Sequence, residues 1–237
     1  NASDGWAYYS DMAECINWAA NKGSRAVNLS FAGGDSSSVN SAAQYLRSKG
    51  GLLFVAAGNN SSDISSSPDY SSIILVGATT SSDTKASWSN YGTPVDLVAP
   101  GVSIYTTKNG GSYGGMSCTS ISSPIAAGAA ALIFSLNPSF SPAQVENFLL
   151  STTVDLGDAG EDNLFGHGRL DLGSAMDLAV LNINDVNSPP VAVADANQFG
   201  GEAPVNIAFT GSNSYDSDGG LVSYQWNFGD GVSSSQV

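Results

Sequence analysis

Positive charge is scarce in this sequence. It contains 7 Lys and Arg residues against 21 Asp and Glu residues, which gives a formal net charge of −14. Nucleic-acid binding depends on a cationic surface, so this balance argues against a nucleic-acid partner. The same negative charge favours solubility.

Cysteine, histidine and long apolar runs are also scarce. Two cysteines, Cys15 and Cys118, cannot build the multi-bridge framework of a small disulfide-rich domain. The single histidine is His167. No run of apolar residues is long enough to span a bilayer, so we expect no membrane partner. Residue 1 is Asn, no signal-peptide pattern follows it, and the sequence ends in the polar stretch GDGVSSSQV, so we expect a piece of a longer or processed protein.

Apolar residues nevertheless occur in well-ordered patterns over the first three quarters of the chain. Helical spacing predicts helices over residues 11–22, 39–49, 120–136, 141–150 and 170–180. Continuous apolar runs predict strands over residues 26–31, 52–57 and 73–77. Uniformly apolar strands separated by helices are typical of a mostly parallel sheet with helices on both faces, so the predicted class is α/β.

The composition and the hydrophobic pattern of the sequence change near residue 182. The segment NINDVNSPP is a polar linker, and the residues after it have β patterns over 191–194, 205–209 and 221–228. We therefore predict an α/β domain over residues 1–180, a linker over 181–188, and the start of a small all-β sandwich over 189–237.

One segment, GGMSCTSISSPIAAG, crowds hydroxyl groups into a turn that runs into a helix of small residues. Ser120 lies where that helix begins, and Pro124 falls in its first turn, where a missing N–H is tolerated. A helix start offers free N–H groups and a positive dipole end, which suit a developing oxyanion beside a nucleophilic serine. The alternative for a serine in this position is a helix N-cap.

The segment CTSISSPIAAG resembles the nucleophile signature of the subtilisin-like serine proteases, G-T-S-M-A-S-P-H-V-A-G. Other segments resemble that family in the same order: NLSFAGG, FVAAGNN, ILVGATTSSDTKASWSNYG, VDLVAPGVSIYTT and FGHGRLDLGSAM. The resemblance covers residues 1–180. It implies a secreted, extracellular endopeptidase that hydrolyses protein or peptide substrates through an acyl-enzyme.

Site residues follow from the same resemblance. It implies that Ser120 is the nucleophile and that the Asn59 amide donates to the oxyanion. It implies a substrate cleft lined by Ser30, Phe31, Ala32, Ala56 and Ala57. No cofactor is implied; a structural calcium ion is left open, with no site assigned.

Two departures from the family pattern matter. Cys118 replaces the family's Gly before Thr-Ser. The backbone at Cys118 is strained only if that position needs a positive φ. A reactive thiol, or a bond from Cys118 to Cys15, is the alternative to a harmless variant.

The larger departure is the absence of the family's D-[ST]-G and H-G-T-H motifs, although its triad runs Asp, His, Ser along the chain. We expect both partners upstream of Asn1 and interpret His167, in a Gly-flanked turn, as a turn or surface residue. The rival hypothesis is an inactive protease-like scaffold.

Residues 189–237 resemble the opening of a polycystic-kidney-disease (PKD) type module. The segments that match are SPPVAVADA, GEAPVNIAFTGSNSYDSDG and LVSYQWNFGDG. In that family such modules bind insoluble polymer or act as spacers. The D-x-D-G turn of Asp216, Asp218 and Gly219 is either a calcium site or an Asx turn. Tyr224 and Trp226 form either a polymer-binding strip or part of a core.

Overall fold

The computed structural model describes residues 7–183, 189–216, 220–221 and 223–236. The chain divides into two compact units, Asn1–Val180 and Leu181–Val237. Residues 184–188 of the predicted linker lie outside the described residues, and residues 181–183 form the end of a helix.

The first unit contains five helices and six strands among its described residues. The helices are α1 (Tyr9–Asn21), α2 (Ser37–Ser48), α3 (Thr119–Leu136), α4 (Pro142–Ser151) and α5 (Leu172–Ile183), the last of which ends in the second unit. The strands are β1 (Ala26–Leu29), β2 (Leu52–Ala56), β3 (Ile73–Thr79), β4 (Leu97–Pro100), β5 (Ile104–Lys108) and β6 (Ser112–Met116).

A parallel sheet with the strand order β1-β2-β3-β4 forms the centre of this unit. Every residue of β2 and β3 is buried, as their uniformly apolar sequences predict. Side chains alternate across a strand, so Leu53 and Val55 of β2 pack with α1 and α2, while Leu52 and Phe54 point to the other face. The α/β class predicted from the sequence is confirmed.

Helix α3 contacts all four strands of the sheet. It buries alanines such as Ala126, Ala129 and Ala130 completely or nearly so, because small side chains allow a helix to approach a sheet closely. With 18 residues and a mean hydropathy of 1.5 it is long and apolar enough to cross a membrane by composition, contrary to the sequence-based expectation. A buried core helix passes the same test, and half of α3 is buried in the protein.

Strand β4 and the antiparallel β5–β6 hairpin are elements that the apolar pattern does not predict. The hairpin pairs Ile104 with Met116 and Lys108 with Ser112, and most of its residues are exposed. It leads directly from β4 to the start of α3.

Apart from the end of α5, the regular structure described in the second unit consists of short antiparallel strand pairs. Strands β7 (Asp195–Ala196) and β8 (Phe209–Thr210) pair, as do β9 (Trp226–Asn227) and β10 (Ser233–Ser234). The longer strands predicted over 191–194, 205–209 and 221–228 are wrong in extent for the residues described, which leave out residue 222. An alternating sequence forms a strand only where a neighbour supplies hydrogen bonds, and Val205 and Ile207 remain 38% exposed.

Aromatic rings connect the strands of this unit. Trp226 and Phe228 lie parallel with ring centroids 6.3 Å apart, and Phe209 contacts both. The rings of Phe209 and Phe228 stay almost half exposed. Asp218 and Gly219 of the predicted D-x-D-G turn lie outside the described residues.

Candidate active site

Ser120 is the second residue of α3, and Cys118 precedes the helix as its N-cap. The first turn of a helix has N–H groups without intrahelical acceptors, and the Ser120 N–H is one of them. The Ser120 side chain is partly exposed, and its Oγ lies 3.5 Å from the Ser30 carbonyl oxygen. The nucleophile candidate therefore sits at the positive end of a buried helix, beside the end of β1.

Asn59 is fixed against the same helix start by Thr119. The Thr119 N–H donates to Asn59 Oδ1 at 2.8 Å, and the Thr119 hydroxyl donates to the same oxygen at 3.0 Å. The Thr119 hydroxyl in turn accepts from the Gly58 N–H at 3.2 Å. Because Oδ1 already serves two donors, Nδ2 is the atom of this amide that remains to donate.

A second set of hydrogen bonds joins β1 to α3. Ser30 Oγ donates to the Ser120 carbonyl at 2.8 Å and accepts from Asn28 Nδ2 at 2.9 Å. Ser123 Oγ donates to Asn28 Oδ1 at 2.7 Å. Thr119, Asn28 and Ser123 are site-building residues that the sequence reasoning missed. These three residues lie in the matched segments NLS and CTSISSP. The hydrogen bonds between the two segments cannot be predicted from the sequence of either one.

The predicted cleft residues divide between two places. Ala32, Ala56 and Ala57 line a cavity of about 130 Å³, whereas Ser30 lies at the nucleophile. Phe31 is 40% exposed and is not among the residues that line this cavity. The cavity and Asn59 both lie past the carboxyl ends of β1 and β2, where parallel sheets commonly bind ligands.

Cys118 occupies its position without backbone strain. Its φ of −174° is extended backbone, and its N–H donates to the Gly101 carbonyl at 3.0 Å. Close packing instead restricts Gly101, because a Cβ there would lie 2.3 Å from Ser122 Oγ and 2.7 Å from Ala78 Cβ. Cys118 and Cys15 are both free thiols, so the disulfide alternative fails.

His167 is held at the other end of the sheet. Its N–H donates to the Asp96 carbonyl at 2.8 Å, and Asp96 directly precedes β4. The four strands are parallel, so the amino end of β4 and the carboxyl ends of β1 and β2 lie at opposite edges. The His167 ring lies 3.8 Å from Glu161, and no hydrogen bond in the described part of the chain joins it to Ser120.

The Asp96 carboxyl group is the most perturbed titratable group described. Burial raises its pKa to about 8, against the lowering effect of the Leu75 N–H, which donates to Asp96 Oδ2 at 2.6 Å. Asp69, Glu146 and Glu161 add smaller raising effects. Asp96 lies beside His167 at the amino end of β4, away from Ser120, so the raised pKa of its carboxyl group plays no part in chemistry at Ser120.

No group of three or more His, Cys, Asp or Glu side chains is close enough to hold an ion within the described ranges.

The sequence of the chain is similar to those of known proteins in both of its parts. The chain matches the subtilase family over residues 2–168 and the PKD domain over residues 187–237. It is 37% identical to Subtilisin BL from Lederbergia lenta over 175 residues, which cover 73% of this chain and 64% of that protein. It is 36% identical to the alkaline protease of Shouchella clausii over 168 residues, which cover 70% of this chain and 43% of that protein.

Solved structures agree with the sequence comparison. Proteases from Pseudoalteromonas arctica superpose with a TM-score of 0.63 and 28% identity, over 73% of this chain and 59% of theirs. The chain belongs to the subtilase family, and a PKD domain follows its subtilase region. It spans between 43% and 64% of the length of the two relatives named above.

Proposed function

We propose that this chain carries the nucleophile, the oxyanion donors and the substrate cleft of a secreted serine endopeptidase. The observation that carries the proposal is that Asn59 is hydrogen-bonded to Thr119, the residue next to Ser120, at the start of α3. A nucleophile and two converging donors are what acyl transfer requires. Family membership supports the choice of a peptide bond as the target.

The proposed reaction proceeds in two halves. Ser120 Oγ attacks the carbonyl carbon, its proton passes to a histidine, and the carbonyl oxygen becomes an oxyanion held by Asn59 Nδ2 and the Ser120 N–H. The C–N bond then breaks, and the leaving amine takes the proton from the histidine. Water repeats the sequence on the acyl-enzyme and releases the second product. No cofactor enters these steps.

The Asp and His of the triad are proposed to come from residues upstream of Asn1. Two observations support this: the chain's single histidine is fixed at the opposite edge of the sheet, and the chain spans less than two thirds of Subtilisin BL. The 237-residue chain alone is then expected to lack protease activity, since donors without a base leave only weak catalysis.

The domain arrangement is also part of the proposal. Residues 1–180 form the peptidase part, 181–188 the linker, and 189–237 a PKD module that binds insoluble polymer or acts as a spacer. The family matches and the two compact units support these bounds.

A second candidate function is a non-catalytic scaffold for the PKD module. It is favoured by one observation: in the described part of the chain, the hydrogen bond that Ser120 Oγ makes is to a backbone carbonyl and not to a base. An upstream sequence without an Asp or a His at the triad motifs would support it.

The test uses the full-length protein with casein as substrate and a fluorophosphonate as a covalent serine probe. Ser120→Ala is expected to abolish both hydrolysis and labelling. Ser117→Ala is the matched control, because this exposed serine lies three residues away and its hydroxyl accepts from the Ser103 N–H, its single hydrogen-bond partner in the described part of the chain. Hydrolysis that survives Ser120→Ala would refute the assignment, and a folded wild-type protein with neither activity would favour the scaffold.

A further inference from the structure

We propose that Asn28 is a positioning residue for Ser120: it directs the Ser30 hydroxyl onto the Ser120 carbonyl and so bonds the backbone of the nucleophile to the end of β1. This role rests on the proposed peptidase function, because that function makes Ser120 a nucleophile. Asn28 acts through Ser30 and not on the reacting atoms.

The Ser120 carbonyl lacks its usual partner inside α3. In an α-helix a carbonyl accepts from the N–H four residues later, which for Ser120 is residue 124. That residue is Pro124, which has no N–H, and a proline ring inside a helix also presses against the carbonyl four residues earlier. Because α3 begins at Thr119, Pro124 lies past the first turn, contrary to the sequence-based expectation.

The Ser30 hydroxyl supplies the missing donor. Its Oγ donates to the Ser120 carbonyl at 2.8 Å, and we call this bond the Ser30 tether. The contact is reciprocal, since Ser120 Oγ lies 3.5 Å from the Ser30 carbonyl oxygen. Pro124 therefore leaves one backbone carbonyl of the nucleophile free, and the Ser30 tether bonds that carbonyl to the segment after β1.

Asn28 sets the direction of the single proton in that tether. A serine hydroxyl has one proton to donate and can also accept at its oxygen. Asn28 Nδ2 donates to Ser30 Oγ at 2.9 Å, so the Ser30 proton is left for the Ser120 carbonyl. Ser123 is fully buried in α3, and its Oγ donates to Asn28 Oδ1 at 2.7 Å. This bond fixes which end of the amide faces Ser30.

The consequence for the reaction is the placement of the Ser120 side chain. Ser120 Oγ and the Ser120 N–H belong to the residue whose carbonyl is bonded, so a shift of that carbonyl moves the nucleophile and an oxyanion donor together. A misplacement of about 1 Å can lower a rate by roughly 10². Loss of the Ser30 tether should therefore lower kcat and leave KM nearly unchanged.

The experiment measures kcat and KM of the full-length protein on a peptide anilide. Asn28→Ala should lower kcat by about three- to tenfold, the effect of one ordinary hydrogen bond, with KM within about twofold. Asn28→Asp should lower kcat at least as much, because a carboxylate accepts the Ser30 proton and draws it away from the Ser120 carbonyl. This variant keeps the side-chain volume and the Ser123 bond, so lost packing cannot explain its effect.

Pro124→Ala provides the rescue. Alanine restores an N–H that can bond the Ser120 carbonyl within α3, so the Ser30 tether becomes redundant. In the Pro124→Ala background, Asn28→Asp should change kcat by less than about twofold, against about threefold or more in the wild-type background. A structural role of Asn28 that does not involve the tether would give equal losses in both backgrounds.

Asn40→Asp is the matched control. Asn40 lies in α2, and its Oδ1 also accepts from a buried serine hydroxyl, that of Ser72. That side-chain bond does not reach α3, so kcat should stay within about twofold of the wild-type value.

Unchanged kcat in both Asn28 variants, or equal losses with and without Pro124, would overturn the proposal. A rise in KM at constant kcat would also overturn it, because Asn28 would then act on substrate binding.

A wild-type protein that hydrolyses nothing contradicts the proposed function instead. The Ser30 tether is then tested by hydrogen exchange of the Thr119 and Ile121 N–H groups, which donate to Asn59 Oδ1 and to the Cys118 carbonyl at the start of α3. Faster exchange in Asn28→Asp than in the wild type supports the proposal, and equal exchange refutes it.

Discussion

Asn59→Ala isolates the oxyanion donor of the proposed site. The substitution removes Nδ2, one of the two groups placed to hold the oxyanion. We expect kcat to fall by about 10²–10³, a range that comes from the equivalent donor of subtilisin, a member of the same family, and is carried over here. KM should move little, because this hydrogen bond strengthens only as charge develops on the carbonyl oxygen.

The structure adds a stability effect to that variant. Asn59→Ala also removes the acceptor of two Thr119 donors, and Thr119 is fully buried. An unsatisfied buried donor destabilises by about 1–3 kcal/mol, which thermal melting would detect. Asn59→Asp separates the two effects, since a carboxylate still accepts from Thr119 but cannot donate to the oxyanion. It should fold like the wild type and lose at least as much kcat as the alanine variant.

The assay is steady-state hydrolysis of a peptide anilide by the full-length protein, with folding checked by circular dichroism. His167→Ala is the control and should keep kcat within a few-fold. Wild-type kcat in a folded Asn59→Ala would remove Asn59 from the mechanism. A loss of 10⁴-fold or more in a folded His167→Ala would refute the placement of the base outside this chain.

Three further substitutions test other parts of the account. Asp96 holds its proton to about pH 8 when folded and releases it near its ordinary pKa of 3.8 when unfolded, so stability should fall from pH 4 to pH 8. Asp96→Asn keeps an acceptor for the Leu75 N–H and should flatten that dependence in urea unfolding; an unchanged slope would contradict the buried acid. Ser122→Ala removes a fully buried hydroxyl that has no hydrogen-bond partner among the described residues, so the melting temperature should stay the same or rise. A fall of more than about 1 kcal/mol in the free energy of unfolding would show that the hydroxyl has a partner. Cys118→Gly should lower the free energy of unfolding by no more than about 1 kcal/mol, because glycine gives the unfolded chain more conformational freedom, and it should leave kcat unchanged. A larger fall in stability, or any large fall in kcat, would show that the thiol contributes to folding or to catalysis.

The sequence was sufficient to predict the elements that bury continuous apolar runs. β2 and β3 and helices α1 to α5 lie within three residues of their predicted bounds. Burial on both faces leaves a continuous apolar run in the two strands, and burial on one side leaves apolar residues at helical spacing in the helices. The Ser120 and Asn59 pair was predictable only through family motifs. The Thr119 bonds to Asn59 span 60 residues, so no local pattern reports them.

Two other features could not be predicted from the sequence, each for a physical reason. Leu75 lines the cavity of about 130 Å³ and Ile74 does not, yet the two are equally apolar neighbours in a fully buried strand, so the sequence cannot tell which one faces the cavity. In the second unit the alternating segments predicted strands that formed only in part, since pairing depends on a partner strand and not on the segment itself.

The bonds through Thr119 and Ser30 also bear on the order in which this site forms during folding. The hydrogen bonds that join its segments connect residues 60 to 90 positions apart along the chain. Contacts of such long sequence separation form late, because loop closure opposes them until the strands and α3 dock. Under the proposed function, a folding molecule would acquire its oxyanion donors only once its own peptide bonds were already shielded, so the site could not cleave the chain that carries it before that chain had folded.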